Sequence, residues 1–304
     1  MQALVGIIAA PALPMLPDYS IDWNSLRRYI CWVAEQRPAG IAMNMDASEG
    51  PSLSTEERVE VIREVRRLVD GACPVYSGLI AGWTREAVEH GCELKQAGAQ
   101  GLAVFPPFPT FLGKPVPSEM VFEYHNAIAE GIGLPLIAFQ FPKEWGPDYT
   151  PETLRRLANV PQVVGLKEAS FDTPKTIETI DAVRSLPRKI GVLTGSDTFI
   201  LEALIFGCDG ALIGFAGTAT GELVGMRESV VQRDYATAHE IWGRLGPLAR
   251  YCWRPPLRDY RPRMKEVLHM QGLIQHTTTR PPQLGVDEAE RTELRRLAVA
   301  AGLL

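Results

Sequence analysis

The sequence predicts a (β/α)8 barrel followed by a C-terminal helical region, and three observations carry that prediction. Eight short apolar runs recur roughly every 20 to 35 residues, the spacing of βα units. The segments between them carry helix start and stop signals. Together they fill about 225 residues, near the size that such a barrel needs.

The runs are Leu4–Ala9, Gly40–Met45, Pro74–Leu79, Gly101–Phe105, Pro135–Phe139, Val163–Lys167, Ile190–Thr194 and Ala211–Phe215. They are apolar at nearly every position, as parallel strands covered by helices on the outside must be. Between them, Ser54 and Glu57 stand at capping-box spacing before a helix that stops near Asp70-Gly71. Thr84 is placed to cap a helix running to Lys95 and ending at Gly98. Thr150-Pro151 and Asp172-Thr173-Pro174 each set a capping side chain ahead of a proline in the first turn. Residues 1–225 are read as the barrel. Residues 226–304 are read as the helical region, with patterns at Tyr235–Arg250, Arg263–Gln271 and Val286–Ala301. A doubly wound open sheet is the alternative, but no G-x-G-x-x-G follows the first run.

Bulk composition removes several functional classes. The chain has 304 residues, and its 31 basic against 36 acidic residues leave a net charge of -5, which gives no field for nucleic acid or anionic membrane. The densest basic stretch, Arg254, Arg258, Arg261 and Arg263 interleaved with Trp253 and Tyr260, reads as a solvated or interface segment. The five cysteines form no C-x-x-C pair and suit unpaired thiols in a reducing compartment. The N-terminal apolar runs lack a basic start and are broken by prolines, so neither a signal peptide nor a membrane span is expected. A cytoplasmic protein is the expectation.

Chemistry enters with the stretch VVGLKEAS at 163–170, an apolar strand that closes on Lys167. The C-terminal ends of barrel strands form the active-site face. An amine walled there by apolar groups loses hydration of its charged form, and its neutral form attacks carbonyls. The ordinary reading is a lysine that snorkels to solvent or pairs with Glu168.

The surrounding words are read together with it. SEGPSLSTEER at 48–58, LPLIAFQFP at 134–142, GLKEAS at 165–170, LTGSD at 193–197 and GALIGFAG at 210–217 follow one another along the chain. In that series the sequence resembles the dihydrodipicolinate synthase / N-acetylneuraminate lyase family of class I, Schiff-base-forming aldolases. The resemblance implies a barrel with C-terminal helices, usually a homotetramer built from dimers. It implies that Lys167 condenses with pyruvate or another 2-oxo acid. The imine is then the electron sink for aldol cleavage, aldol addition or loss of a leaving group. No cofactor or metal is expected, and the five histidines show no H-x-x-x-H or H-E-x-x-H spacing. Gly195 in LTGSD and Leu212 in GALIGFAG fall among the substrate-contacting positions.

Departures from the family pattern shape the expected site. Where the family carries Gly-Thr-Thr-Gly-Glu or Gly-Ser-Thr-Gly-Glu to hold a carboxylate, this chain has Asp46-Ala47-Ser48-Glu49 after Met45. Ala47 and Ser48 are the expected carboxylate holders. Asp46 is expected to line the mouth and carry proton transfer, with Glu144 and Ser48 as further candidates and a plain turn residue as the ordinary reading of Asp46. The family tyrosine that closes the fifth strand is replaced by Phe139, and a second one, lent across the dimer, by Phe108. The arginine that dihydrodipicolinate synthases set against their second substrate falls near Glu144, whose charge is opposite. Phe105, Phe108, Phe139, Phe141, Trp145 and Phe215 cluster at strand ends; ordinary core is the simpler reading, and as lining they imply a bulky or apolar distal half of the substrate. The leading expectation is a Schiff-base lyase acting on a 2-oxo acid, aldolase or dehydratase, outside lysine biosynthesis. An imine-dependent decarboxylase or deaminase, and a non-catalytic 2-oxo acid-binding barrel, are the alternatives.

Overall fold

The computed structural model describes residues 2–142, 144 and 146–304. Its strands are β1 (Gly6–Ala9), β2 (Gly40–Met43), β3 (Val75–Leu79), β4 (Gly101–Val104), β5 (Leu136–Gln140), β6 (Val163–Glu168), β7 (Gly191–Thr194) and β8 (Gly210–Ile213). Each pairs in parallel with the next, and β8 pairs back onto β1 to close the barrel. The open-sheet alternative is thereby excluded. Every strand residue is buried. That follows from the sequence, since side chains on one face fill the barrel and those on the other meet the helices.

The helices of the eight units are α1 (Trp23–Glu35), α2 (Thr55–Val69), α3 (Thr84–Gln96), α4 (Ser118–Ile132), α5 (Pro151–Leu157), α6 (Thr173–Arg184), α7 (Ile200–Phe206) and α8 (Thr220–Val231). The Ser54–Glu57 capping box forms as expected, each side chain bonding the other residue's backbone N–H. Thr150 and Asp172 cap α5 and α6 through the N–H groups of Thr153 and Lys175. Thr84 does not cap α3. Trp83 occupies the cap position without a side-chain bond, and Glu86 instead reaches back to accept from the Gly82 N–H at 2.7 Å.

The packing explains two glycines. A β-carbon on Gly40 or Gly101 would lie 2.5 or 2.8 Å from the Tyr76 ring. One aromatic side chain thus fills the space above both neighbouring strands.

The C-terminal region is α9 (Tyr235–Cys252), α10 (Tyr260–Met270) and α11 (Glu288–Ala300). Residue 225, the boundary expected from sequence, falls inside α8, and the eighth unit runs on to Val231. The region packs on the barrel through α9 against α8, and polar contacts tie it to the turn after β2 and the start of α2. Arg261 Nε donates to the Asp46 carbonyl at 2.7 Å, Lys265 pairs with Glu49, and Arg280 pairs with Glu57. The arginine-rich stretch is therefore only half solvated. Arg254 and Arg258 face outward, but Arg263 is 2% exposed and donates to Glu290 at 3.0 Å, and Arg261 turns inward to Asp46. All five cysteines are unpaired. Among the described residues no helix is long and apolar enough to cross a membrane.

Candidate active site

Lys167 is the fifth residue of β6 and shares its register with Phe139 of β5. Neighbours in a parallel sheet point the same way, so both enter the barrel mouth, and the Lys167 Nζ lies 4.1 Å from the centre of the Phe139 ring. Burial lowers the amine from its ordinary 10.5 to about 8, opposed by the charges of Asp197 and Asp46. The following residue faces the other way. Glu168 accepts from Gln140 Nε2 at 3.1 Å, from the Ser170 N–H at 2.9 Å and from the Thr176 hydroxyl at 2.6 Å. Lys167 therefore neither pairs with Glu168 nor snorkels: it is 9% exposed.

The loop after β7 comes next to it. A β-carbon on Gly195 would lie 2.8 Å from the Lys167 Cε and 2.7 Å from the Ala169 Cβ, so only glycine lets the loop pass this close. Two residues on, Asp197 is 4% exposed, and its Oδ1 accepts from the Phe215 N–H at 2.7 Å. Burial raises this carboxyl from 3.8 to about 7, opposed by the Phe215 bond and by Lys167.

The turn after β2 supplies Asp46 and Ala47. The Asp46 carboxylate is held from the C-terminal region: Tyr260 Oη donates to Oδ2 at 2.7 Å, and the Arg261 guanidinium donates to Oδ1. Burial, with the Asp46 charge beside it, pushes the Tyr260 phenol well above its ordinary value, so it stays a donor. The turn is pinned at its far end by Glu49, which is 3% exposed and meets the fully buried Lys265 and the Arg280 N–H.

These groups surround a cavity of about 90 Å³. A water needs about 10–15 Å³ by this measure, so the space suits a compact ligand. One wall is aromatic. Phe139 stacks on Phe141 at 4.3 Å and meets Phe105 edge-on at 4.9 Å. Opposite, Trp253 stacks on Tyr260 at 4.8 Å, and a β-carbon on Gly214 would lie 2.9 Å from the Trp253 ring.

Of the residues expected from sequence, the structure brings Lys167, Asp46, Ala47, Phe139 and Gly195 around this one cavity. It does not bring the others there. Ser48 is wholly buried, and its hydroxyl accepts from the Met45 N–H at 2.9 Å, stapling its own turn. Leu212 is wholly buried in β8 beside Ile8 of β1. Phe108, whose expected place is across the dimer, is 64% exposed on its own chain at the start of a 3-10 turn, Phe108–Phe111. Glu144 lines a separate cleft with Asp148, Asp172 and Lys175. Of the aromatic cluster, Phe105, Phe139 and Phe141 are in contact, Phe215 packs edge-on to Trp253, and Trp145 lies outside the described residues. Asp197, Trp253 and Tyr260 were not expected at the site. Asp197 closes the word LTGSD, whereas the other two lie in the stretch read as surface. Among the described residues no cluster of three or more His, Cys, Asp and Glu is placed to hold a metal ion.

Residues 3–301 match the sequence model of the Dihydrodipicolinate synthetase family. The chain belongs to that family. It is 30% identical to the 4-hydroxy-tetrahydrodipicolinate synthase of Leptothrix cholodnii, over the whole of both chains. It is equally similar, at 30% over 98% of each chain, to the enzyme of that name from Alcanivorax borkumensis. Among solved structures, the chloride-inhibited dihydrodipicolinate synthase of Acinetobacter baumannii complexed with pyruvate superposes with a TM-score of 0.88. That pair is 30% identical over 99% of this chain and all of the other. Membership of the family makes this chain a lyase of the dihydrodipicolinate synthetase type.

Proposed function

We propose that the protein is a Schiff-base-forming lyase whose Lys167 condenses with pyruvate or another compact 2-oxo acid. One observation carries the reading: a buried lysine amine, lowered to about 8, projects into a small cavity at the C-terminal ends of the strands. The neutral amine adds to the 2-oxo carbon, an acid protonates the carbinolamine hydroxyl so that it leaves as water, and a protonated imine forms. That cation withdraws electrons from C2, so a carbanion at C3 is held as an enamine. Aldol cleavage, aldol addition and elimination all follow from this one intermediate, with the amine as the only covalent partner. The Phe139 ring face, already against the Lys167 Nζ, favours the cationic imine, a contact worth up to about 2 kcal/mol when desolvated. The backbone of the turn at Ala47 is the holder of the substrate carboxylate, and the Arg261 and Tyr260 contacts offset the Asp46 charge beside it.

The second substrate, or the leaving half, is uncharged or apolar at its far end. Phe139, Phe141, Phe171, Trp253 and Leu257 line the mouth, and among the described lining residues Lys167 is the sole basic group. This argues against the second carboxylate that the tetrahydrodipicolinate reaction requires. The protein is read as a cytoplasmic homotetramer, a dimer of dimers, for which the exposed Phe108, Phe111 and Leu112 offer apolar contact surface.

The test is incubation with pyruvate and borohydride, followed by intact mass and peptide mapping. The added mass is expected on the peptide containing Lys167 and is expected to vanish in Lys167→Ala. An adduct that persists in Lys167→Ala would sink the assignment. A wild type that forms no adduct with any 2-oxo acid would favour a non-catalytic barrel.

A further inference from the structure

A Schiff-base lyase must move protons twice at the imine. The hydroxyl of the carbinolamine leaves as water only if it is protonated, and the enamine forms only if C3 gives up a proton. Position 139 has no hydroxyl to assist. Among the described residues that line the cavity, the side chains with a proton to exchange, besides Lys167, are Asp46, Tyr260 and Asp197. Asp46 already accepts from Tyr260 and Arg261 on its two oxygens. Tyr260 spends its proton on that bond. Asp197 differs from both. It is held through backbone N–H groups, with Oδ1 accepting from Phe215, and the loop carrying it is pressed onto the lysine at Gly195.

Resting on the lyase reading above, we infer that Asp197 is the catalytic acid and base for the chemistry at Lys167. The steps balance on one proton. The Lys167 amine adds to the 2-oxo carbon, and its surplus proton passes to the former carbonyl oxygen. The Asp197 carboxyl protonates that hydroxyl as the C–O bond breaks, which gives water, a cationic imine and the Asp197 carboxylate. The carboxylate then takes a proton from C3, the C–H electron pair becomes the enamine double bond, and Asp197 is again a neutral acid. Burial favours this arrangement. It raises the carboxyl and lowers the amine, which brings the two close enough for the form with a neutral amine beside a neutral carboxyl to be within reach. Lys167 and Asp197 are the pair that shares the proton. The other groups facing Asp197 are Asp46, held by Arg261, with Tyr260 from α10 and Cys252 from the end of α9, and burial raises both of the latter.

The experiment follows exchange of the pyruvate methyl hydrogens into deuterated water by proton NMR on the full chain, with borohydride trapping alongside. Asp197→Asn is expected to slow exchange at saturating pyruvate by about 10²–10⁴-fold, while trapping given time still places mass on Lys167. Asp46→Asn is expected to act mainly on the pyruvate KM, with a smaller loss at saturation. The wild-type kcat/KM for exchange is expected to be bell-shaped in pH, its limbs set by the raised Asp197 carboxyl and the lowered Lys167 amine. The pair works with one proton, not with two or none. Asp197→Asn should leave a single limb that rises with pH. Exchange at the wild-type rate in Asp197→Asn overturns the inference but spares the lyase reading. So does a wild-type profile that rises and never falls, a result that needs no variant to fold. If Asp46→Asn loses more than Asp197→Asn at saturation, the roles are reversed and the inference is wrong. A wild type with no adduct and no exchange overturns both.

Discussion

Gly195 and Lys167 are packed so closely that a β-carbon on the first would lie 2.8 Å from the Cε of the second. The glycine is what lets the loop after β7 press against the lysine stem and bring Asp197 into the same cavity. Gly195→Ala must push either the stem or the loop aside, at a strain cost of about 1–3 kcal/mol. A displacement near 1 Å at a reacting atom costs about 10²-fold in rate. The expected result is a folded protein whose rate of adduct formation with pyruvate falls by that order. Unchanged trapping kinetics would show that the contact is slack.

How much of this was legible beforehand differs between fold and site. All eight strands were visible because parallel strands buried on both faces are continuous apolar runs, and β6 could be placed within a residue of its end. Lys167 was legible because a cation at the end of such a run breaks the pattern. Trp253, Tyr260 and Arg261 were not. They lie more than 200 positions from Asp46, and a segment rich in arginine and aromatics has the local pattern of a surface. Only the folded chain shows that it closes over the barrel mouth. The hydroxyl of Ser48, expected to hold the substrate carboxylate, is engaged within its own turn for a local reason. A hydroxyl three residues after a free N–H bonds back to it, and that turn chemistry competes with ligand binding.

Phe139 makes a prediction with a definite sign. Its ring face favours the charged form of the Lys167 amine, which burial disfavours. Phe139→Leu keeps the site apolar but removes that face, so the amine should be lowered further. A loss of up to about 2 kcal/mol corresponds to a shift of up to about 1.5 units. The acid limb of the rate profile for adduct formation should therefore move to lower pH. A limb that stays in place would show that the ring contributes bulk and no cation stabilisation.

The clamp between Lys265 and Glu49 predicts a stability effect. Both are buried, at 0% and 3% exposure, and the Lys265 Nζ also donates to the Thr278 carbonyl at 2.6 Å. Lys265→Met leaves the Glu49 carboxylate buried without its cation, at a cost of about 3–5 kcal/mol. The urea midpoint should fall accordingly. In the double variant Lys265→Met with Glu49→Leu, no charge remains to desolvate, and much of the loss should be recovered. Equal destabilisation of the single and double variants would place the effect in packing and not in the unpaired charge. Glu49 also ends the turn that carries Asp46 and Ala47, so the single variant should raise the pyruvate KM.

The last prediction concerns the reaction named for the chain's relatives. Condensation of pyruvate with aspartate semialdehyde brings a second carboxylate to the mouth, where it needs a cation or several hydrogen-bond donors. Among the described lining residues Lys167 is the sole cation, and the imine consumes it. Asp46 and, once ionised, Asp197 repel a further negative charge. Phe139 offers a ring where a hydroxyl would bond, and Glu144 faces a different cleft. Turnover of pyruvate with aspartate semialdehyde is therefore expected far below a kcat of about 10 s⁻¹, a typical enzyme value. Aldehydes of similar length without the carboxylate should be accepted with higher kcat/KM, because the aromatic wall gains from their apolar surface. The check is a direct comparison of the two aldehyde classes at fixed pyruvate. A kcat of about 10 s⁻¹ or more with aspartate semialdehyde would return the protein to the activity of its relatives.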